Sequence, residues 1–445
     1  MHNTKASGDY PGACRTIRRM QKPTTPMPPG ALDGVRVLDL SRVLAGPWCT
    51  QTLADLGAEV IKIERPPAPD HPGGDDTRGW GPPFLKDRKG RDTADAAYFL
   101  GTNRNKRSVT IDIAQPEGQA LILQLAGRCD VMIENFKVGD MARYGLDAAS
   151  LCQRYPRLVY CSITGFGQTG PYRDRAGYDY AVQGMGGLMS ITGERDDRPG
   201  GGPQKVGVAV ADLFTGMYAS VAILAALRHR DATGEGQAID MALLDTQVAM
   251  LANLGANYLV TRQAPQRAGN AHLNIVPYQV FEVAPSTDGC KDHLILAVGN
   301  DSQFVKFCAV AEMPELGLNP LFAKNRDRVT NRAQLVPILE AVMRTRTKAD
   351  WLAALEAAKV PCGAINNLAE VFADPQVAAR NMVTPWLHPL QSDLRLVASP
   401  MKLSATPPRN DRAPPLLGQH TDEVLREVLQ MGVERLTGLK NAKVV

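Results

Sequence analysis

Apolar and polar positions along the chain follow two rhythms. Short runs rich in β-branched residues, "VRVLDL" at 35–40 and "EVIKIE" at 59–64, read as strands. Between them "PWCTQTLADLG" (47–57) reads as a helix opened by a proline and closed by a glycine. Strand, helix, strand in so short a span is a βαβ unit, with parallel strands and a right-handed crossover. The pattern repeats through "SVTIDI" (108–113), a helix over 116–127, "DVMIEN" (130–135) and "LVYCSI" (158–163). These elements predict a doubly wound, Rossmann-like parallel α/β sheet. Ligands of such sheets bind outside the carboxyl ends of the strands, where Arg65, Asn135 and Phe136 fall.

Downstream the pattern changes. "YQVFEV", "HLILAVG" and "GAINN" read as short strands with helices between them, a smaller α+β domain over 268–370. The chain therefore divides into an extension at 1–29, a large α/β domain over 30–245, a linker at 246–267, the small domain, and a C-terminal segment at 371–445. In that last segment "PPLLGQHTDEVLREVL" starts with a proline stop, and Thr421 is expected to cap a final helix. The Pro/Gly-rich stretch "RPPAPDHPGGDDTRGWGPPF" (65–84) is long for a loop inside a compact domain, which marks it as functional.

Composition narrows the class. At 445 residues two domains are expected, and 44% hydrophobic with 22% charged residues suits a globular enzyme. A net charge of +4 gives no reason to invoke nucleic acid. The eight cysteines form no C-x-x-C pair and the seven histidines are dispersed, which predicts reduced thiols and no metal site. The run Val206–Leu227 has the length of a membrane span, but Asp212 within it argues for a core helix and no membrane. Residues 1–29 lack an apolar h-region and read as a disordered basic tail. That places the protein in the cytoplasm, with a mitochondrial presequence and the matrix as the alternative. "GFGQTG" (165–170) matches G-x-G-x-x-G, yet "PYRDRAGYD" follows it with no helical period, so it is read as a loop.

The chemistry turns on "GVAVADLFTG" (207–216), where Asp212 is the lone carboxylate in a small, apolar run. Locally it is either a helix cap or a reagent. The wider sequence bears on the choice. "LDGVRVLDLSRVLAGPWCTQTLADLGAEVIKIERP", "NRNKRSV", "VMIENF", "GYDYAVQGMGGLMSITG", "VADLFTGMYA" and "PPLLGQHTDEVL" stand in the order of the class III CoA-transferases, the formyl-CoA and carnitine CoA-transferase family. The chain resembles that family from about residue 31 onward, and "GDDTRGWGPPF", "YCSITGFGQTGP" and "NIVPYQVF" resemble its dicarboxylate branch.

The resemblance implies an interlocked ring dimer in which the C-terminal segment returns to the large domain. It implies a CoA thioester as substrate, with no prosthetic group and no metal. CoA would pass from succinyl-CoA to a small dicarboxylic acid such as glutarate or hydroxymethylglutarate. Asp212 would be the nucleophile, forming a mixed anhydride and then an aspartyl-CoA thioester. Val43, Ala45, Arg65, Ile111, Asn135, Phe136 and Arg143 fall on CoA contacts. Arg78, Trp80, Tyr98, Tyr178 and Asp179 fall near the acyl end, and Arg78, Arg42, Arg104 or His272 would hold the distal carboxylate. Leu44 and Ala114 replace a glutamine and a lysine of formyl-CoA transferase, and that enzyme's glycine lid has no counterpart, which speaks against formate and oxalate. A racemase-type isomerase is the alternative. Those relatives carry a histidine where this chain has Tyr178, and an ordinary tyrosine is a poor proton shuttle at neutral pH. A CoA-binding protein without catalysis is the other rival, opposed by the intact Asp212.

Overall fold

The computed structural model of the chain describes residues 28–285 and 289–445, so the reading of 1–29 lies almost wholly outside them. Six strands form a parallel sheet: β1 (Arg36–Asp39), β2 (Glu59–Glu64), β5 (Lys106–Thr110), β6 (Val131–Glu134), β7 (Val159–Thr164) and β8 (Ala238–Ala242). Their spatial order is β5-β2-β1-β6-β7-β8, the doubly wound order with its reversal between β1 and β6. Strand β8 was not anticipated. "AIDMA" is short, interrupted by Asp240 and mostly accessible to solvent, and it is a strand because its backbone completes the sheet edge beside β7. Strand β5 begins two residues before the expected "SVTIDI", because Lys106 pairs with Val60 and is buried.

The two-residue period of a strand decides what each sheet face meets. Leu38, Leu40, Ile61, Ile63, Val109 and Ile111 point to one face, against Val424, Leu425, Leu436 and Leu439 of the C-terminal helices Thr421–Leu429 and Val433–Asn441. Thr421 is the first residue of its helix and not its cap. Its hydroxyl accepts from Thr110 N–H at 3.0 Å, and a further helix follows. On the other face Val37, Val60, Val131 and Val159 pack against helices Ala45–Asp55 and Val210–Thr233. These two helices approach closely at Gly216, where a Cβ would stand 2.6 Å from the Ala45 carbonyl oxygen.

On that second face the carboxyl ends of β1 and β2 and the start of β5 turn polar. Asp39, Lys62, Glu64 and Lys106 are buried there. Lys62 Nζ donates to Asp75 at 2.9 Å and to the Ser41 carbonyl at 2.8 Å. Lys106 Nζ reaches Asp39 at 3.2 Å, and Asp39 also accepts from Ser41 and Thr50. Burial opposes every charge in the group. Lys106 and Lys62 nevertheless hold Asp39 below the usual carboxylate range, and Lys62 does the same for Asp75. Burial brings Lys106 down to about 8.

The long loop carries the hairpin β3 (Phe84–Lys86) and β4 (Asp92–Ala96) at its end. Strands β9 (Tyr278–Val283), β10 (Asp292–Ala297) and β11 (Cys362–Ala364) form a separate antiparallel sheet over a core that includes Phe281, Phe304, Phe307 and Trp351. The segment expected as a linker at 246–267 is largely helical, through Leu243–Ala249 and Ala252–Thr261. A last hairpin, β12 (Val383–Trp386) and β13 (Leu394–Val397), packs Trp386 and Leu394 against Phe99 and Leu85.

Replacing Asp75 by alanine leaves the Lys62 ammonium buried without its carboxylate. Breaking a buried pair from one side costs about 3–5 kcal/mol. Asp75→Ala is therefore expected to lower the denaturant midpoint strongly, whereas Asp76→Ala, at the partly exposed Arg42 pair, shifts it little.

Candidate active site

Asp212 lies in the first turn of helix Val210–Thr233, three residues past its N-cap, Ala209. It does not cap the helix. That work falls to Asp179, in the first turn of helix Asp179–Met185, whose Oδ1 accepts from the Ala211 N–H at 2.8 Å. Asp179 Oδ2 accepts from Gln183 Nε2 at 2.7 Å, and Gln183 Oε1 accepts from Val206 N–H at 2.9 Å. This chain of bonds fixes the start of the Asp212 helix and leaves the Asp212 carboxyl with no hydrogen-bond donor among the described residues. Burial raises its pKa to about 7, with the negative charge of Asp179 as the second cause. A cap and a reagent both belong here, on two different aspartates.

Trp80 and Tyr98 meet edge to face, ring centroids 5.4 Å apart. Burial raises the Tyr98 phenol to about 12, and the facing charges of Asp212 and Asp179 add to the shift. Tyr98 thus stays protonated at neutral pH, a hydrogen-bond donor and not a base. Asp212 and Asp179 face Tyr98, which packs on Trp80, so the four form one cluster. Tyr178 is the N-cap residue of the Asp179 helix, with its ring 68% exposed.

Arg78 corrects the sequence reading. It is buried, and its guanidinium grips Glu64 through Nε (2.8 Å) and Nη2 (2.7 Å), Asp95 through Nη1 (2.6 Å), and the Pro415 carbonyl (3.1 Å). It also lies over the Phe99 ring, 3.7 Å from the centroid. Four of its five N–H donors are committed, so Arg78 shapes the loop, paired with Glu64 and Asp95 and not with the neighbouring Asp75 or Asp76. Arg104 is spent likewise on Asp55, at 2.9 and 2.5 Å. His272 accepts from Asn274 N–H and packs on Tyr278 at the head of β9. Arg42 keeps a half-exposed head, paired with Asp76 and 5.5 Å from the Phe136 ring centroid.

The residues expected to contact CoA, Arg143 excepted, gather at the strand-order reversal. A cavity of about 420 Å³ opens there, lined among others by Arg65, Ile111, Phe136, Arg42, Tyr144 and Asp75. Asn135 clasps its rim from both sides, accepting from Arg42 N–H at 2.9 Å and donating to the Arg42 carbonyl at 2.8 Å. The next residue, Val43, has φ +71°, a conformation that costs a β-branched side chain energy. The bond from its N–H to Asp75 (3.2 Å) and the Asn135 clasp hold it there. Val43 to Ala45 thereby bridge the cavity and the Asp212 helix, since Asp75 lines the first and Gly216 abuts Ala45. Arg143 stands apart. It pairs with Asp140 at the surface, and its neighbour Tyr144 lines the cavity instead.

The sequence reading missed Lys62, Glu64 and Asp75 as the cavity floor. Their signal was legible, because two charges at alternate positions of the apolar strand "EVIKIE" must share one face. It also missed Glu134, a carboxyl that burial raises to about 7, which accepts from Phe136 N–H at 2.7 Å and so orients the cavity's aromatic wall.

The profile of CoA-transferase family III matches residues 32–421. The succinate–glutarate CoA-transferase of Agrobacterium fabrum is 50% identical over 397 residues, 89% of this chain and 95% of that one. The succinyl-CoA:glutarate CoA-transferase of Homo sapiens is 42% identical over 414 residues, 93% of this chain and 90% of that one. Among solved structures, a CAIB/BAIF family protein from Brucella suis superposes with a TM-score of 0.76 at 46% identity, covering 90% of this chain and all of that one.

The Asp179 charge raises the Asp212 pKa, so removing it lowers that pKa. Asp179→Asn keeps an acceptor oxygen for the Ala211 N–H. Its acidic activity limb is expected to shift to lower pH than the wild-type limb near 7. A pH profile of kcat/KM checks this, and an unmoved limb would assign Asp179 to capping alone.

Proposed function

The chain belongs to CoA-transferase family III, and from that premise we propose that it moves coenzyme A from succinyl-CoA to glutarate or a close dicarboxylic acid, with Asp212 as nucleophile. The observation that carries the reading is the Asp212 carboxyl itself, poorly solvated, free of donors, and set in the first turn of a long helix. Such a carboxylate is a stronger nucleophile than a hydrated one, and the helix N-terminus favours its ionised form.

In the first step an Asp212 oxygen attacks the thioester carbonyl carbon. The C–S bond breaks, CoA leaves as thiolate, and a succinyl–aspartyl anhydride forms. The thiolate then attacks the Asp212 Cγ, which releases succinate and leaves an aspartyl-CoA thioester. The acceptor carboxylate attacks that Cγ and expels the thiolate again, forming a second anhydride. Thiolate attack on the acceptor's carbonyl gives the new acyl-CoA and restores the Asp212 carboxylate. Charge is conserved throughout, since one carboxylate enters and one leaves. The pantetheine arm would run along Val43–Ala45 from the cavity at Arg65 and Phe136, and the protonated Tyr98 supplies a donor beside the reacting carbonyl.

The working unit in this reading is a homodimer. Phe214, Met217, Tyr218 and Val221 recur at helical spacing on the Asp212 helix, and all four are exposed, as are Leu259 and Val260 on helix Ala252–Thr261. The long apolar helix is thus only partly a core helix, and this face suits a second copy of the chain. Sedimentation is expected to give a native mass twice the 48.1 kDa of one chain, and a stable folded monomer would refute it.

Asp212→Asn and Asp212→Ala are expected to abolish transfer, at least about a thousandfold below wild type, with the fold intact. Assaying succinyl-CoA against glutarate, hydroxymethylglutarate, malate, itaconate, carnitine and formate tests the substrate. Carnitine or formate outperforming glutarate would overturn the dicarboxylate reading.

A further inference from the structure

A second, shallower basin of about 360 Å³ lies beside the CoA cavity. Pro66, Pro67 and Pro69 form one wall, Thr110 the floor, and Lys440 and Lys443 the other wall. The two hollows are continuous along the chain, because Arg65 and Ile111 line the cavity while their neighbours Pro66 and Thr110 line the basin. We infer that the Lys443 side of this basin, with Lys440 beside it, seats the 3′-phosphomonoester of a bound CoA thioester, an assignment that rests on the CoA-binding function proposed above.

Charge is the first argument. A phosphomonoester carries nearly two negative charges at neutral pH. The cavity wall holds the carboxylates of Glu64, Asp75 and Asp112, and two of its three cations, Lys62 and Arg42, are already paired with Asp75 and Asp76, a poor setting for such a group. The basin offers exposed lysines, and Arg65 adjoins it from the cavity side. Neither Lys443 nor Arg65 has a side-chain partner among the described residues, while Lys440 is held by Asp422 at 2.6 Å. Prolines have no N–H to offer an anion, so recognition there falls to the lysines.

Rigidity is the second argument. Lys443 is anchored by its backbone and free at its head. Its carbonyl accepts from Gln115 Nε2 at 3.1 Å, and the next carbonyl, of the buried Val444, accepts from Asp112 N–H at 2.8 Å. These bonds tie Lys443 to Ile111–Ala114, the very stretch that walls the CoA cavity. The place of the Lys443 backbone beside the cavity is therefore set by the fold, and its side chain is long enough to bring the ammonium over the basin.

Calorimetric titration with CoA and with 3′-dephospho-CoA tests the assignment. Lys443 has φ +55°, which asparagine tolerates, so Lys443→Asn removes the charge with little strain. The wild type is expected to prefer CoA. Lys443→Asn, alone or with Lys440→Gln, should weaken CoA about three- to tenfold and leave 3′-dephospho-CoA within about twofold. Lys443→Arg, which keeps the charge, should retain the preference. Equal losses for both ligands, or no loss for CoA, would overturn the assignment. A folded wild type that binds neither ligand would overturn the CoA-transferase reading and this assignment with it.

Discussion

The buried pair of Lys62 and Asp75 is the constraint on which the rest of this structure hangs. Lys62 is committed to the dry face of the central sheet by the period of β2, and an ammonium there is untenable without an anion. The anion comes from the middle of the 65–84 loop, so the loop must fold down over the strand ends. Asp75 then has oxygens to spare for Thr77 and for the Val43 N–H. Glu64 and Arg78 repeat the logic one step along the same strand, with Ser108 and Asp95 completing the set. What looks in sequence like a flexible loop is clamped by charges that cannot be left alone. The CoA cavity is the space between that clamp and the strand ends.

The nucleophile obeys the opposite rule. Asp39, Glu64, Asp75 and Glu134 at the strand ends are paired or hydrogen-bonded, whereas Asp212 is left bare, and Asp179 takes over the bonds that would have quieted it. A desolvated carboxylate facing another carboxylate is a destabilising arrangement. It persists because Gly216 lets the helix sit hard against Ala45, and because the bonds through Asp179, Gln183 and Val206 fix its first turn. Stability spent at Asp212 is recovered in the network under the loop.

Much of this was legible in the sequence. The parallel sheet followed from the strand–helix alternation, and the strand-end positions of Arg65, Asn135 and Phe136 from the same pattern. Isolation among small apolar residues singled out Asp212 but left cap and reagent open; the family resemblance is what favoured the reagent. What failed were pairings between segments far apart in the chain. Arg78 looked free because its partners, Glu64 and Asp95, lie fourteen and seventeen residues away on other elements. Asp179 looked like part of a substrate motif because the helix N–H it accepts from, that of Ala211, lies 32 positions later. Strand β8 was hidden because its sequence is weak and its neighbour β7 holds it in place. Local pattern reports which face is apolar; it does not report which distant charge answers a buried one.

These opposed treatments of carboxylates separate the acid response of the chemistry from that of the fold. Asp39, Asp75 and Glu64 are held below the usual carboxylate range in the folded chain. The stability they contribute is fully present above the unfolded values and is lost only as the pH falls through the lowered ones. Asp212 and Glu134 are shifted the other way, to about 7. A raised carboxyl binds its proton more tightly when folded, so these two groups favour the folded chain as the pH drops from 7 toward the ordinary range. Between about pH 7 and 5 the Asp212 carboxylate is therefore lost while the charge network stands. Mild acid is expected to protonate Asp212 in place and reversibly, because the pairs that hold the loop down stay intact over that range.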